Sequence, residues 1–544
     1  MKYIKYFFIL ILVISVSSCK KFLDTKPPDF LAPETYYSTE DQLNNALMGV
    51  YDPLGWETMY GNNLFANLTI CTDESFWNRA AQTTGTQVNV FDYSNIDVAN
   101  LWAACYTGIE RANMLIANVK KPQMDEAKRE NILGQAMFLR GYYYFLLVTN
   151  FGGVPLKTVP QPSVSNPVYI NVPRSSIKDV YTQILSDMTE AEGKLNTITA
   201  NGNPGYISKT ACQGILARVN LNMAGFPLNE TARYAEALSW VKKVEASGEH
   251  ALNTTFNSSL TNSAYSQIFI NQMRDEYNIK ESIWEVEFYG NRISDAFVEA
   301  GRLGNTIGLA FSPSVDSPDS LGYSYGFANT TRRHYLRYDN ADQRRDWAIA
   351  PFRYNNTAPF ARVNWTASTI YNRNVGKWRR SYEKLTPKNK NYTPTNFPLL
   401  RYSDVLLMIA EAENEVNGPT TTAYNALNQV RRRAYGVSLA AASPTADAPA
   451  AMGKDNFRTF IQEERSRELC YEGLRKYDLI RWGIYVARMN EIGNEIATDA
   501  TNTAFKWGGL GGQSVSERHV LLPIPSTEMS VNKAITAKDQ NPGW

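Results

Sequence analysis

Histidine is nearly absent from this chain: His250, His334 and His519 are the three in 544 residues, and they stand far apart. No metal site can be read from so few imidazoles, and no serine or cysteine sits in a motif with a histidine to serve as its base. G-x-S-x-G does not occur, and Gly508-Gly509-Leu510-Gly511-Gly512 lacks the Lys-Ser/Thr and the strand-to-helix setting of a phosphate loop, so it reads as a flexible loop. Cysteine is scarce too. Beyond Cys19, the residues Cys71, Cys105, Cys212 and Cys470 form no C-x-x-C pair and have no regular spacing, so they read as buried thiols with room for one incidental disulfide. An excess of positive charge is also missing: 55 basic residues face 53 acidic ones, and Lys2 and Lys5 of the leader account for the difference. That balance argues against nucleic acid as partner, because phosphate binding draws on a basic patch. After the leader no stretch approaches 18 apolar residues, so no membrane-spanning helix is expected in the body.

The leader itself is informative. Lys2 and Lys5 precede an apolar run from Tyr6 to Val16, and Ser17-Ser18-Cys19 follow. A charged start, a short apolar core and small residues before a cut site make a secretory signal. The cysteine placed after them suggests a bacterial lipoprotein signal over residues 1–18, with Cys19 acylated and becoming the new N-terminus. Acyl chains contribute about 0.8 kcal/mol per buried CH₂, and two or more hold a protein firmly on a bilayer. Residues 19–35 carry Pro27, Pro28 and Pro33 and read as an extended tether.

Residues 36–544 read as one body, mostly helical. Leu101, Cys105, Ile109, Ala112, Leu115, Ile116 and Val119 share one helical stripe, as do Ile132, Ala136, Leu139, Tyr143 and Leu147 before Gly152-Gly153. Ser176-x-x-Asp179 looks like a capping box. Two segments, from Tyr234 and from Tyr424, resemble each other, and small residues (Ala211, Gly214, Ala217, Ala410, Ala412) let paired helices approach closely. The expectation is a tetratricopeptide-like frame of helix pairs over about 36–250 and 398–500, with irregular spacing. Between them, residues 253–397 are rich in Asn, Ser, Thr, Tyr, Arg and Gly and read as long, partly β loops. Function concentrates on loops held by a rigid scaffold, so the ligand-binding face is expected there. Residues 439–453 read as an exposed insertion.

Several segments carry a family resemblance. They are Phe22-Leu23-Asp24-x-x-Pro27, Tyr36-Tyr37 and Ala46-x-x-Gly49-x-Tyr51 near the start, and Pro398 to Ala412 around Arg401-Tyr402-Ser403-Asp404. Later come Glu464 to Gly483, Leu522-Pro523-Ile524-Pro525-x-x-Glu528, and Gln540-Asn541-Pro542-Gly543-Trp544. In this order they resemble the SusD/RagB family of nutrient-binding outer-membrane lipoproteins of Bacteroidetes. The departures are small: Trp544 stands for the usual terminal tyrosine, and Ser403 where alanine is common. The middle of the chain matches no motif. The alternating charges from Glu464 to Arg481 read as helix-face pairs, not as an acid/base site.

Chemistry has one candidate. Ile283 to Tyr289 alternates as a strand, with Trp284, Val286 and Phe288 on one face and Glu285, Glu287 and Tyr289 on the other. Residues two apart on a strand lie about 7 Å apart, within the roughly 5–9.5 Å range of glycosidase carboxylate pairs. Any half-exposed strand with two glutamates satisfies that test.

Aromatics make the better case. They are 12% of the chain, with 32 Tyr and 11 Trp. Sugar rings stack their C–H faces on flat side chains, while their hydroxyls need amides, carboxylates or guanidinium groups. Trp77, with Asn78 and Arg79 beyond it, supplies such a cluster in a polar segment after Asp73-Glu74. Tyr289, with Asn291 and Arg292, supplies a second. Tyr323, Tyr325 and Phe327 alternate with Gly322, Ser324 and Gly326, a pattern favouring exposed rings on a mobile loop. Against each stands plain packing, since Trp and Tyr are often largely buried. Trp102, Trp240, Trp347 and Trp482 read as core.

The resemblance implies a cell-surface lipoprotein, anchored in the outer membrane and facing outward. It would bind oligosaccharide and deliver it to a SusC-like TonB-dependent transporter, with no cofactor and no catalysis. A peptide ligand is the alternative among binders; a surface glycosidase and a protein-only helical-repeat adaptor are the alternatives from other classes.

Overall fold

The computed structural model describes residues 36–161, 166–290, 292–293, 300–313 and 320–544. Cys19, the tether and Asn291 lie outside the described residues. The longer helices follow the sequence stripes: α1 (Glu40–Gly55), α2 (Ile96–Asn118), α3 (Glu126–Phe151), α4 (Ile177–Glu192), α5 (Lys209–Ala224) and α6 (Arg233–Ala246). After a long irregular stretch come α7 (Ala264–Arg274), α8 (Tyr402–Asn417), α9 (Thr421–Ala434), α10 (Lys454–Leu469), α11 (Arg475–Arg481) and α12 (Tyr485–Thr498). Local chemistry sets the ends. Asn95 caps α2 by accepting from the Asp97 and Val98 N–H groups at 2.9 and 3.3 Å. Ser176 caps α4, though Asp179 receives the Ser176 hydroxyl at 2.7 Å instead of its backbone N–H. Gly152, at φ 73°, stops α3.

Each helix packs on its successor from α1 to α6, and α6 then packs on α8, which continues to α9 and α10. The frame is thus a tetratricopeptide-like stack, and residues 247–401 are inserted into it. Small residues set the approach. A Cβ at Gly108 would strike the Tyr143 ring, so α2 lies directly on α3, and the Tyr143 hydroxyl donates to Val50 O of α1 at 2.6 Å. Ala211, Ala217, Ala410 and Ala412 are fully buried in the same way.

The inserted segment is stitched down by short strands. β1 (Ser75–Trp77) pairs antiparallel with β3 (Ala328–Thr330), and β2 (Ser282–Val286) with β6 (Phe397–Arg401), which runs straight into α8. β4 (Phe352–Tyr354) and β5 (Arg362–Asn364) form a third pair. Helix α7 was not legible in the sequence. The segment 439–453 is mostly exposed but staked down at buried Ala446 and Ala448 and by the Asp447–Arg432 ion pair at 2.6 Å. All four described cysteines are buried free thiols.

A second core is ionic. Glu464 meets Arg344 and Arg431 at 2.8 Å and Arg467 at 2.9 Å; Glu468 meets Arg433 at 2.6 Å, Arg401 at 3.0 Å and Arg344 at 3.1 Å. Glu472 pairs with Lys377 and Arg401 at 2.7 Å, not with Arg475 as helix spacing suggests. Arg475 instead holds Asp73 at 2.7 Å, alongside Arg337 at 2.6 Å. The charged motif is structural.

The glycine run 508–512 is no loop. It forms two short helical turns, Lys506–Gly509 and Leu510–Gln513, pressed onto α12. A Cβ at Gly493 of α12 would stand 2.7 Å from Gly509 O and closer still to the Gln513 N–H. Helix propensity alone would make Gly493→Ala stabilising by about 1 kcal/mol. Overpacking predicts the opposite sign, a loss of about 1–3 kcal/mol, and a denaturant midpoint decides between them.

Candidate functional site

The register of β1 and β3 builds the site. Trp77 faces Ala328, so residues following Trp77 must meet residues preceding Ala328. Accordingly the Asn78 N–H donates to Phe327 O at 2.6 Å. Alternate residues of an extended chain share a face, which places Tyr323, Tyr325 and Phe327 in one row beside Trp77. Ring centroids are 5.0 Å apart at each step: Tyr323 to Tyr325 edge-on, Tyr325 to Phe327 stacked at 21°, and Phe327 to Trp77 tilted at 36°. Such spacing lies within the attractive range for aromatic pairs.

The row is half-buried and its backbone is hydrogen-bonded, where the sequence suggested exposed rings on a loop. Tyr325 and Phe327 N–H groups donate to Asn305 O and Thr306 O at 2.8 and 2.9 Å. Ser324 N and O exchange bonds with Phe311 at 2.9 Å. Gly326, at φ 58°, turns inward where a Cβ would meet Ala310 at 2.5 Å. Gly322, Ser324 and Gly326 are buried, and the three rings between them are partly accessible.

Polar groups flank the row. The Arg79 guanidinium lies 4.2 Å from the Phe327 ring centre and donates to Tyr325 O at 2.6 Å. Lys390 Nζ stands 5.0 Å from the Tyr323 ring centre, and the Tyr325 hydroxyl donates to Asn391 Oδ1 at 2.9 Å. Asn78 is held inward, its Nδ2 donating to Asn329 Oδ1 at 3.0 Å, so it belongs to the sheet more than to the surface. On the other side of Arg79 opens a cleft of about 300 Å³, lined by Trp77, Arg79, Gln82, Gln87, Lys506 and Trp507.

Trp77 is not the exposed platform of a polar loop. It closes strand β1 and is 7% exposed, with its Nε1–H lacking an acceptor among the described residues. It packs against Phe327 while its edge reaches the cleft. Tyr289 is 68% exposed, and no ring contact joins it to the row. Asp73 and Glu74 lie buried among Arg337, Arg475 and Ser466 and take no part in the surface.

The carboxylate pair does not survive. A bulge between Ser282, Trp284 and Glu285 breaks the alternation, and all five residues of β2 are buried. Glu285 accepts from Gln272 at 3.2 Å, from Asn396 at 3.3 Å and from the Ser282 hydroxyl. Burial raises its proton affinity and the three donors oppose that; the residue is 4% exposed, at the wall of a cavity that Glu287 also lines. Glu287 is exposed beyond the strand. Among the described residues, no group of three or more His, Cys, Asp or Glu is placed to hold a metal ion.

Sequence reasoning missed Lys390, Lys506 and Trp507. Trp507 sits beside a glycine run mistaken for a loop, and its position depends on α12, far away in sequence from Trp77.

Comparison with known proteins agrees with this architecture. A family model described as SusD family matches residues 280–544, and one described as starch-binding associating with outer membrane matches residues 21–221. A SusD-like protein of Formosa agariphila is 26% identical over an alignment covering 97% of each chain. The crystal structure of a SusD homolog from Bacteroides thetaiotaomicron is 29% identical, covers 94% of this chain and 98% of that one, and superposes with a TM-score of 0.84. A surface glycan-binding protein A from Bacteroides fluxus, 23% identical with a TM-score of 0.69 over 93% of this chain and all of that one, shares the fold. Helix stack, inserted segment and these matches together place the chain in the SusD/RagB family.

Proposed function

We propose that this protein captures oligosaccharides at the outer face of the outer membrane and passes them to a SusC-like TonB-dependent transporter, without chemistry of its own. The observation that carries the binding reading is the row Tyr323–Tyr325–Phe327–Trp77, flat faces in series with Arg79, Lys390 and Asn391 at their edges. Supporting it, a laminarin-binding SusD-like protein has the same fold at a TM-score of 0.68 and 22% identity over 93% of this chain and all of that one. Delivery to a transporter rests on the family resemblance.

Tyr325→Ala tests the row. It removes the central ring, so affinity for an oligosaccharide that the wild type binds should fall by about 1–3 kcal/mol, roughly tenfold to a hundredfold. Unchanged affinity in calorimetric titration rejects the row as the site. Prolonged incubation should leave the chain length of the bound oligosaccharide unaltered; new reducing ends would make the protein an enzyme.

Anchoring is tested at Cys19. Cys19→Ala should move the protein from the membrane to the soluble fraction, and membrane retention of that variant without attached lipid refutes the anchor.

A further inference from the structure

The surface just described has an imbalance of charge. Three cations border it, namely Arg79 between row and cleft, Lys390 over Tyr323, and Lys506 at the far wall of the cleft. None of the three makes an ion pair with a described residue. No Asp or Glu lines the cleft among the described residues. The buried acid Glu383 is held by Arg380 at 2.7 Å.

Many buried guanidinium groups of this protein meet carboxylates, although Arg373 and Arg379, like Arg79, meet carbonyl oxygens and ring faces. Arg140, Arg218, Arg344, Arg401 and Arg465 are all buried against carboxylates at 3.0 Å or less. Arg79 is half-buried and meets only carbonyl oxygens, those of Asn78 and Tyr325, and a ring face. Burial therefore pushes its proton affinity down, with the Tyr323 hydroxyl the one group opposing it. A charge left without a counter-ion in a partly dry site is unfavourable until an anion arrives.

The cleft offers no carboxylate among the described residues to receive hydroxyl donors. Neutral sugars carry hydroxyls that donate as readily as they accept, and sites for them include carboxylates to receive those donors. A cleft bordered by cations and without a described carboxylate is instead complementary to a ligand with surplus acceptor oxygens.

We propose, on the reading of this surface as a glycan site, that its ligand is an anionic oligosaccharide, with rings stacked along Tyr323, Tyr325 and Phe327 and carboxylate or sulfate groups met by Arg79, Lys390 and Lys506. Carboxylate and sulfate present the same chemistry to these side chains, and paired probes separate them. The full chain is titrated calorimetrically with an oligogalacturonate and its methyl ester, with a carrageenan oligosaccharide and its desulfated counterpart, and with a neutral laminari-oligosaccharide. At least one charged probe should bind about tenfold or more tightly than its uncharged counterpart, and its affinity should fall as salt is raised, because exposed charges are screened. The double variant Lys390→Gln/Lys506→Gln should weaken that probe by about threefold to tenfold, the range for a pair of exposed charge contacts. Both lysines are exposed, so its melting temperature should not move. Arg79→Gln should weaken it further.

The failures are separable. A neutral probe binding as tightly as its charged partner overturns the charge assignment and leaves the glycan site standing. Charged binding that neither the lysine pair nor Arg79→Gln disturbs places the anion elsewhere and overturns the assignment to these residues. No binding by any probe at millimolar concentration overturns the glycan reading and the charge inference with it.

Discussion

Trp77→Ala should lower folding stability by about 3–5 kcal/mol, the range for truncating a buried aromatic, and weaken oligosaccharide binding as well. From sequence the two effects were alternatives: a stacking platform would lose affinity alone, a core residue stability alone. The structure gives Trp77 both contacts, packed on Phe327 and forming one wall of the cleft. Removing the indole leaves a void beneath Phe327 and lets the row settle into it. Chemical denaturation and calorimetry on one purified variant read the two losses separately. An unaltered denaturation midpoint would show that the indole lies outside the core. Trp77→Phe, which refills most of the void, should recover most of the stability.

Glu468→Ala should cost a similar 3–5 kcal/mol, for an unrelated reason. It takes from Arg344, Arg401 and Arg433 the carboxylate they share; Arg344 keeps Asp342 and Glu464 and Arg401 keeps Glu472, but Arg433 is left with Glu281 at 3.5 Å and the interior one negative charge short. The same network makes the protein acid-labile. Burial alone would raise the Glu468 carboxyl, but the Arg433, Arg401 and Arg344 guanidinium groups outweigh it and hold it at about 2. Asp404 is likewise held at about 2, by Arg465 and Arg218 against the effect of burial. Both lie below their unfolded values, so their contribution is complete above about pH 5 and is lost as pH falls toward 2, roughly 2–3 kcal/mol each. Glu74 runs the other way. Burial, helped by Asp73 and opposed by Arg475, raises it to about 7, so its contribution is complete below about pH 4.5 and fades as pH rises through 7. For these three groups stability should therefore peak near about pH 4.5 to 5. A denaturation midpoint that holds steady from pH 5 to pH 3 would contradict this account of the network.

The helical frame was legible because a periodicity of 3.6 residues is a local property. Leu101 to Val119 and Ile132 to Leu147 announce α2 and α3 without knowledge of what they pack on. Pairing between segments is not local, and there the reading faltered. The alternation of Trp284, Glu285, Val286 and Glu287 was correct as a pattern and wrong as a surface, because a bulge against β6 turned Glu285 inward. Trp77, Arg79, Tyr323 and Tyr325 were each legible as aromatic or guanidinium groups in polar surroundings. That they form one surface follows from the β1–β3 register, which no spacing in the sequence encodes. Tyr289 has the expected side chain and exposure, and no ring contact among the described residues joins it to the row.

That register also bears on how the chain acquires its fold. Residues 73–77 are made early, yet their partners are Ala328 to Thr330, Arg337 and Arg475, some 250 to 400 positions later. Contacts of such sequence separation give a high contact order, and long-range closure is slow. Until residues 327–337 are present, Asp73 lacks Arg337 and Trp77 lacks Phe327, and Arg475 joins Asp73 only in the last quarter of the chain. N-terminal fragments ending before β3 should therefore retain helices α1 to α6 but lack the proposed ligand face, and any cellular factor that shields a nascent chain would have to do so well past its midpoint. The proposed cleft, which needs Lys506 and Trp507 beside Trp77, is in the order of assembly among the last parts of the molecule to exist.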